Sequence, residues 1–469
     1  MRSDNKVIGI LKGIIFLLIG FVLALLVVYV VVNRGREGSD KTEFIEYDEE
    51  TGADQSDTSE LIADNDEGDD SSESIFGIGD DTDDGNSSSD NASSNQDDGS
   101  NVDVTDNNSQ NDDQTGSNSD QSASDPSVES ILSKMSLHDK VCQMFIVTPE
   151  SLTGVGQVTE AGDATKESYK QNPVGGLIYF SQNLESTDQT KKMLSNMQHY
   201  ANEISGFPIF LSVDEEGGTV ARCEEKLGAT QLNDMYNYKS EGTGTAYNNA
   251  ATIAGYLKDY GFNLDFAPVA DTWSNPSNTV IGKRAYSDDF NEASILVASA
   301  VKGFKDSGVA CTLKHFPGHG DTMEDSHTSS ATTSKTIDQM QNEEFLAFKS
   351  GIAEGADMVM VGHITVTSED SEPATVSKKI VTDVLRNSLG YNGVVVTDAL
   401  NMGAVSNTYS SSELSVKCVD AGVDIMLMPT DFKSAVSGLE SAVESGQISE
   451  SRIDESVRRI LKVKMSMGN

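Results

Sequence analysis

The chain has 469 residues and a formal net charge of −42 at pH 7, from 75 acidic against 33 basic side chains. It has no basic stripe to neutralise phosphates, so nucleic acid is not an expected partner. Its four cysteines, Cys142, Cys223, Cys311 and Cys418, are scattered without a CxxC pair, which argues against a zinc ribbon and against a small disulfide scaffold.

The charge is unevenly distributed, and that divides the chain. Residues 13–32 form a run of 20 uncharged residues, mostly Ile, Leu, Val and Phe. At about 1.5 Å per residue such a helix spans the roughly 30 Å hydrocarbon core of a bilayer. A cleavable signal peptide would have a shorter apolar stretch ending in small residues. This run ends in Val30-Val31-Val32-Asn33-Arg34 instead, with no cysteine nearby for a lipoprotein anchor. The expectation is a transmembrane signal anchor within residues 1–36. Arg2, Lys6, Lys12 and the amino terminus favour a cytoplasmic N-terminus. The rest of the chain would then lie outside a cell membrane crossed once.

Residues 42–133 contain 28 Asp and Glu and no Lys or Arg. Within this region, residues 37–126 are rich in Asp, Ser, Asn and Gly and too poor in large apolar residues to offset chain entropy. They read as a disordered acidic tether with a reach of about 50 Å. No spaced loop with a glycine turn and a terminal Glu marks a specific calcium site there.

From residue 127 to 469 the texture is that of one globular domain. Eight short apolar runs occur, at 141–147, 174–180, 209–213, 264–269, 309–313, 358–361, 394–396 and 423–428. Segments of helical spacing, such as 245–258, 291–305 and 343–354, alternate with them. Short buried strands alternating with helices imply parallel β/α units. Eight units in one domain give an α/β fold of the single-domain (β/α)8 TIM-type barrel class. A doubly wound open sheet is the alternative, but no Gly-rich phosphate turn follows the first strand. Cys142 and Cys311 fall inside these runs and read as buried packing residues in strands.

Polar residues gather where the runs end. The third is followed by Asp214-Glu215-Glu216-Gly217-Gly218, the fourth by Asp271, the sixth by His363 and the seventh by Asp398. The fifth leads into Lys314-His315-Phe316-Pro317-Gly318-His319-Gly320 and then Asp325-Ser326-His327, which together hold three of the six histidines. In a barrel the carboxyl ends of the strands converge on one mouth, where the active site lies. Any single residue here could be a helix cap, and Asp271 in particular could be one.

Three chemistries suit such a mouth to different degrees. His315, His319 and His327 have spacing that superficially suits zinc, yet Pro317 and Gly318 keep the first two off one helix face. Serine hydrolysis lacks a G-x-S-x-G elbow. Glycoside chemistry needs a nucleophile or base on one side of a sugar and a proton donor on the other. Asp398 and the Asp325/His327 pair fit those roles without metal or cofactor.

The K-H-F-P-G-H-G run followed by D-S-H resembles the family 3 glycoside hydrolases, in particular their β-N-acetylglucosaminidase branch. Val213-Asp214-Glu215-Glu216-Gly217-Gly218 with Arg222 is similar to that family's sugar-binding segment. Ile281-Gly282-Lys283-Arg284-Ala285-Tyr286 resembles its second arginine motif, and Val396-Thr397-Asp398-Ala399-Leu400-Asn401-Met402 its nucleophile strand. The resemblance runs over residues 132–464 and includes a closing helix around residues 452–461.

The resemblance implies Asp398 as nucleophile, His327 as acid/base and Asp325 as the carboxylate that orients it. It implies that Asp214, Arg222, Arg284, Lys314 and His315 hold the sugar of the first subsite. A histidine can protonate the leaving oxygen and later deprotonate water, with a covalent glycosyl-enzyme between the two steps.

Family members of the β-glucosidase type usually take their acid from a second domain. This chain ends at Asn469, just past the closing helix, so the acid is expected from Asp325-Ser326-His327. Thr219, where the family often has arginine, and Ala399, where an acid often follows the nucleophile, are departures that bear on substrate preference. The implied activity is exolytic release of terminal β-linked N-acetylglucosamine from wall fragments or chitin-type oligosaccharides. A phosphorylase, a β-glucosidase-like enzyme and a non-catalytic wall-binding protein are the alternatives. The oligomeric state is not legible from the sequence.

Overall fold

A computed structural model describes residues 125–322 and 331–467. The anchor expected in residues 1–36 and the tether expected in residues 37–126 lie outside the described residues, except Asp125 and Pro126, which cap and begin the helix Pro126–Leu132 instead of continuing the tether. Among the described residues no helix is long and apolar enough to cross a membrane.

Twelve strands are present among these residues: β1 (Phe145–Val147), β2 (Gly176–Ile178), β3 (Phe210–Val213), β4 (Glu215–Gly217), β5 (Val220–Ala221), β6 (Leu264–Asp265), β7 (Ala310–Phe316), β8 (Ala331–Thr333), β9 (Met358–Val361), β10 (Ile364–Val366), β11 (Val394–Thr397) and β12 (Met426–Leu427). Eight of them form one parallel sheet in the order β11-β9-β7-β6-β3-β2-β1-β12. A parallel bridge between Val396 and Ile425 joins the two ends of that order and closes the barrel. The expected α/β barrel with eight parallel strands is therefore the observed fold. The remaining strands form two small sheets, β4 with β5 and β8 with β10.

The crossover helices follow ordinary capping chemistry. In the helix Thr187–Ile204 the N-cap Ser186 side chain accepts from Gln189 N, and in Phe290–Ser307 Asp289 accepts from Glu292 N. Thr243–Tyr260 and Phe290–Ser307 end in left-handed glycines, Gly261 and Gly308. Each helix buries one stripe, for example Ala293, Leu296, Val297, Ala300, Val301 and Phe304, over the strands.

Two expected strand boundaries move. Residues 141–143 belong to the helix Leu137–Gln143, not to the first strand, so Cys142 is a buried helical residue. Ser136 and Asp139 form a reciprocal capping box that starts this helix, which local apolar content alone does not reveal. The fifth strand runs past residue 313 to Phe316, and all seven of its residues are buried. Lys314 and His315 therefore sit on the strand, not on the loop after it.

At the amino-terminal end of the barrel, Asp424 is fully buried just before β12. Arg386 reaches it at 2.5 Å, Arg459 at 3.0 Å and the Ser456 hydroxyl at 2.6 Å. Arg459 and Ser456 belong to the closing helix Glu450–Ser466, so this cluster fastens that helix to the barrel. The opposite end is left to the strand-end residues.

Candidate active site

The site begins with a strand that turns back on itself. After β3 and Asp214, the β4/β5 hairpin reverses at Gly217 and Gly218, whose φ values of 86° and 63° are the left-handed region that glycine enters without a Cβ penalty. Successive residues of an extended chain point to opposite sides. Asp214 and Glu216 thus reach into the mouth while Glu215 turns away. The Glu215 carboxylate accepts from Tyr256 OH at 2.8 Å and from the backbone N–H of Arg222 (2.6 Å) and Cys223 (3.0 Å). It pins the start of the helix Arg222–Leu227, and burial pushes its carboxyl up.

Two cations meet two carboxylates in the mouth. Lys314 Nζ lies 2.8 Å from Asp214 Oδ1 and 2.6 Å from Glu216 Oε1. Arg284 clamps Glu216 with both arms, Nε to Oε2 and Nη2 to Oε1, each at 2.8 Å, and donates from Nη1 to Val280 O at 3.0 Å. This fork-to-fork geometry fixes the guanidinium plane. Burial alone would raise the Glu216 carboxyl, but Arg284 and Lys314 hold it down at about 2. Burial alone would lower the Lys314 ammonium, yet Asp214 and Glu216 raise it above its ordinary range. Both groups are therefore charged at neutral pH.

A second cluster lies beside the first. Asp271, fully buried in the loop after β6, accepts from His315 Nδ1 at 2.7 Å and from His315 N at 3.1 Å through one oxygen. Its other oxygen accepts from His319 N at 2.6 Å. Burial would raise this carboxyl, but His315 and His319 hold it below its usual range. His319 Nδ1 lies 2.7 Å from Thr322 Oγ1, and Asn278 Nδ2 donates to His319 O at 2.7 Å. Burial lowers the His319 pKa, so the ring is neutral at pH 7. Gly320 allows the two loops to meet here, because a Cβ at that position would fall 1.8 Å from Thr272 O.

Asp398 follows β11, its N–H donating to Val361 O at 2.9 Å, and its Oδ1 accepts from Ala399 N at 2.7 Å. Its charge acts on the His319 ring. His363, fully buried, packs behind this turn with Nε2 2.9 Å from Ala399 O and Nδ1 2.7 Å from Thr375 Oγ1. A ring nitrogen facing a carbonyl must carry the proton, so His363 donates to the turn and steadies it.

The structure thus joins Asp214 to Lys314 and, through Glu216, Lys314 to Arg284, and places His315 on Asp271 beside them. Arg222 lies at the start of its short helix, its guanidinium 5.9 Å above the Phe180 ring. Thr219, where an arginine was a possible occupant, donates from N and Oγ1 to Asp234 Oδ1. Asp325 and His327 lie outside the described residues. Sequence reasoning gave no role to Glu216, Asp271 or His363. The alternation Asp214-x-Glu216 on an extended segment was the available signal for Glu216. Asp271 and His363 had only their positions at strand ends.

The fold and the site together define a closed parallel β/α barrel with charged residues from four strands gathered at its carboxyl end, where barrels of this class place their ligand sites. The glycosyl hydrolase family 3 N-terminal domain matches residues 136–463, and the chain belongs to that family. The chain is 33% identical over 320 residues to β-hexosaminidase A of Pseudoalteromonas piscicida, covering 63% of this chain and 54% of that relative. With the β-hexosaminidase of Stenotrophomonas maltophilia it shares 31% identity over 279 residues, 58% of this chain and 80% of the relative. The solved family 3 β-N-acetylglucosaminidase of a Paenibacillus species aligns at TM-score 0.67 and 38% identity, covering 71% of this chain and 63% of that one. The chain therefore spans only about half of the first relative's length and under two thirds of the Paenibacillus protein.

Proposed function

We propose that the chain is a retaining, exo-acting β-N-acetylglucosaminidase that hydrolyses terminal β-linked N-acetylglucosamine. The observation that carries this reading is the Asp214–Lys314–Glu216–Arg284 cluster at the mouth of a family 3 barrel, with Asp398 at the end of β11, two strands along from β7. Fixed cations and an aspartate acceptor suit sugar hydroxyls, and holding the ring in place supplies orientation. The names of the relatives, β-hexosaminidase and β-N-acetylglucosaminidase, point to the same substrate class.

In this reading Asp398 attacks the anomeric carbon and the glycosyl-enzyme forms as the aglycone leaves. His327, oriented by Asp325, protonates the leaving oxygen and later takes a proton from the attacking water. Asp214, Arg222, Arg284, Lys314 and His315 hold the first-subsite sugar. No step calls for a metal or cofactor. Residues 13–32 anchor the protein in a cell membrane, residues 37–126 tether it, and residues 127–469 act outside on wall fragments or chitin-type oligosaccharides.

The test is turnover of a chromogenic N-acetyl-β-glucosaminide by the purified chain, with products analysed in the presence and absence of phosphate. Release of free N-acetylglucosamine with initial retention of anomeric configuration is expected. Absence of turnover, or accumulation of a sugar 1-phosphate, would reject hydrolysis.

A further inference from the structure

The strongest unassigned feature is the buried carboxylate of Asp271. All three of its hydrogen bonds run to the segment His315–His319, and none to its own loop: His315 N, His315 Nδ1 and His319 N. A helix cap would bind amides of a following helix, but the next helical turn, Gly282–Arg284, begins eleven residues later. The residue instead bridges β6 to β7 at the level of the mouth, where Val269 pairs with Lys314 and Ala270 N donates to Lys314 O at 2.6 Å.

The consequence for His315 is chemical. A carboxylate only accepts, so the ring nitrogen 2.7 Å from it must be Nδ1–H. That leaves Nε2 as the atom available to a ligand, and a neutral ring then offers it as an acceptor for a hydroxyl proton. The ring has a neighbour on one edge, and the side chain is closely packed at its Cβ. The His319 ring packs edge-on at 6.0 Å between centroids, and a Cβ on Gly362 would come within 3.1 Å of His315 Cβ. Removing the carboxylate would free both the tautomer and the rotation of the ring, while Lys314 keeps its own partners, Asp214 and Glu216.

We propose that Asp271 is a positioning residue of the sugar site, which locks His315 in the Nδ1–H tautomer and presents Nε2 to a substrate hydroxyl. The inference rests on the reading that His315 touches the sugar. Asp271 itself touches no substrate.

A double-mutant cycle on the full chain tests it, with Asp271→Asn, His315→Asn and the double variant assayed on the chromogenic N-acetylglucosaminide. A misplaced contact group can cost about 10²-fold, so Asp271→Asn should lower kcat/KM by about that factor. In the His315→Asn background the same change should cost no more than about 3-fold, because the two residues act as one unit. Equal losses in both backgrounds, or an Asp271→Asn enzyme within about 2-fold of the parent, would overturn the proposal. If His315→Asn alone leaves kcat/KM intact, the sugar-contact reading itself fails and the inference falls with it. A loss for His315→Asn without one for Asp271→Asn sinks the inference alone.

Nitrogen-15 histidine spectra of the unsubstituted chain add a readout that needs no folded Asp271 variant. The signal lost in His315→Asn should report an Nδ1–H ring, and an Nε2–H neutral ring there would refute the tautomer assignment.

Discussion

Replacing Glu216 by Gln separates the charge of this residue from its shape. The glutamine keeps the volume and one acceptor oxygen, but leaves the Lys314 ammonium and the Arg284 guanidinium without the buried carboxylate that they share. Its folded pKa of about 2, against 4.5 ordinarily, corresponds to about 3 kcal/mol at neutral pH. Removing one partner of a buried ion pair costs roughly 3–5 kcal/mol, which agrees. The sign follows from the depressed pKa. The stabilisation is complete above pH 4.5 and is lost as pH falls from there toward about 2.

Glu216→Gln should therefore lower the unfolding free energy by about 3 kcal/mol at pH 7, with the gap to the parent narrowing below pH 4.5. Urea titrations at several pH values measure it. Fluorescence of Trp273, the single tryptophan, reports locally because it lies two residues from Asp271. The same variant should raise KM and lower kcat/KM, since both cations lose their common anchor. An unchanged urea midpoint at pH 7, or a gap that stays constant from pH 7 to pH 3, would refute the argument.

Other predictions address the chemistry and the loop packing. Asp398→Ala should reduce kcat by about 10³-fold or more while leaving the circular dichroism spectrum intact, as expected for a nucleophile. His327→Ala should slow substrates with poor leaving groups far more than activated aryl glycosides, and a rate loss independent of leaving-group pKa would contradict its role as acid. Gly320→Ala should destabilise the fold by about 1–3 kcal/mol in thermal or urea unfolding, because its Cβ would collide with Thr272 O. It should also lower kcat/KM, since the same loop contact sets His319 beside Asp271.

The barrel class was legible because buried parallel strands are short apolar runs, and periodicity survives in one dimension. Asp214, Lys314 and His315 were legible as strand-end residues, and Arg284 only through a motif resembling that of a known family; the match over residues 136–463 shows that family. Boundaries were less visible. The run 141–147 mixes the end of one helix with the start of β1, and the capping box at Ser136 and Asp139 is the local sign that a helix begins just before it.

What the tertiary structure alone decided is which charge answers which. Glu216 is one of two adjacent glutamates, and its alternation with Asp214 was the only local sign that it, not Glu215, shares the mouth; which cations it meets there was not legible. Strand alternation sends Glu216 to Lys314 and Arg284, and Glu215 to the backbone of residues 222 and 223. Asp271 read equally well as a helix cap until the closed barrel set its loop against β7 and gave its oxygens to His315 and His319. Residue types and strand order are properties of the chain. The pairing of buried charges depends on distances of a few ångströms between segments 40 to 100 residues apart, and only closure of the sheet sets those distances.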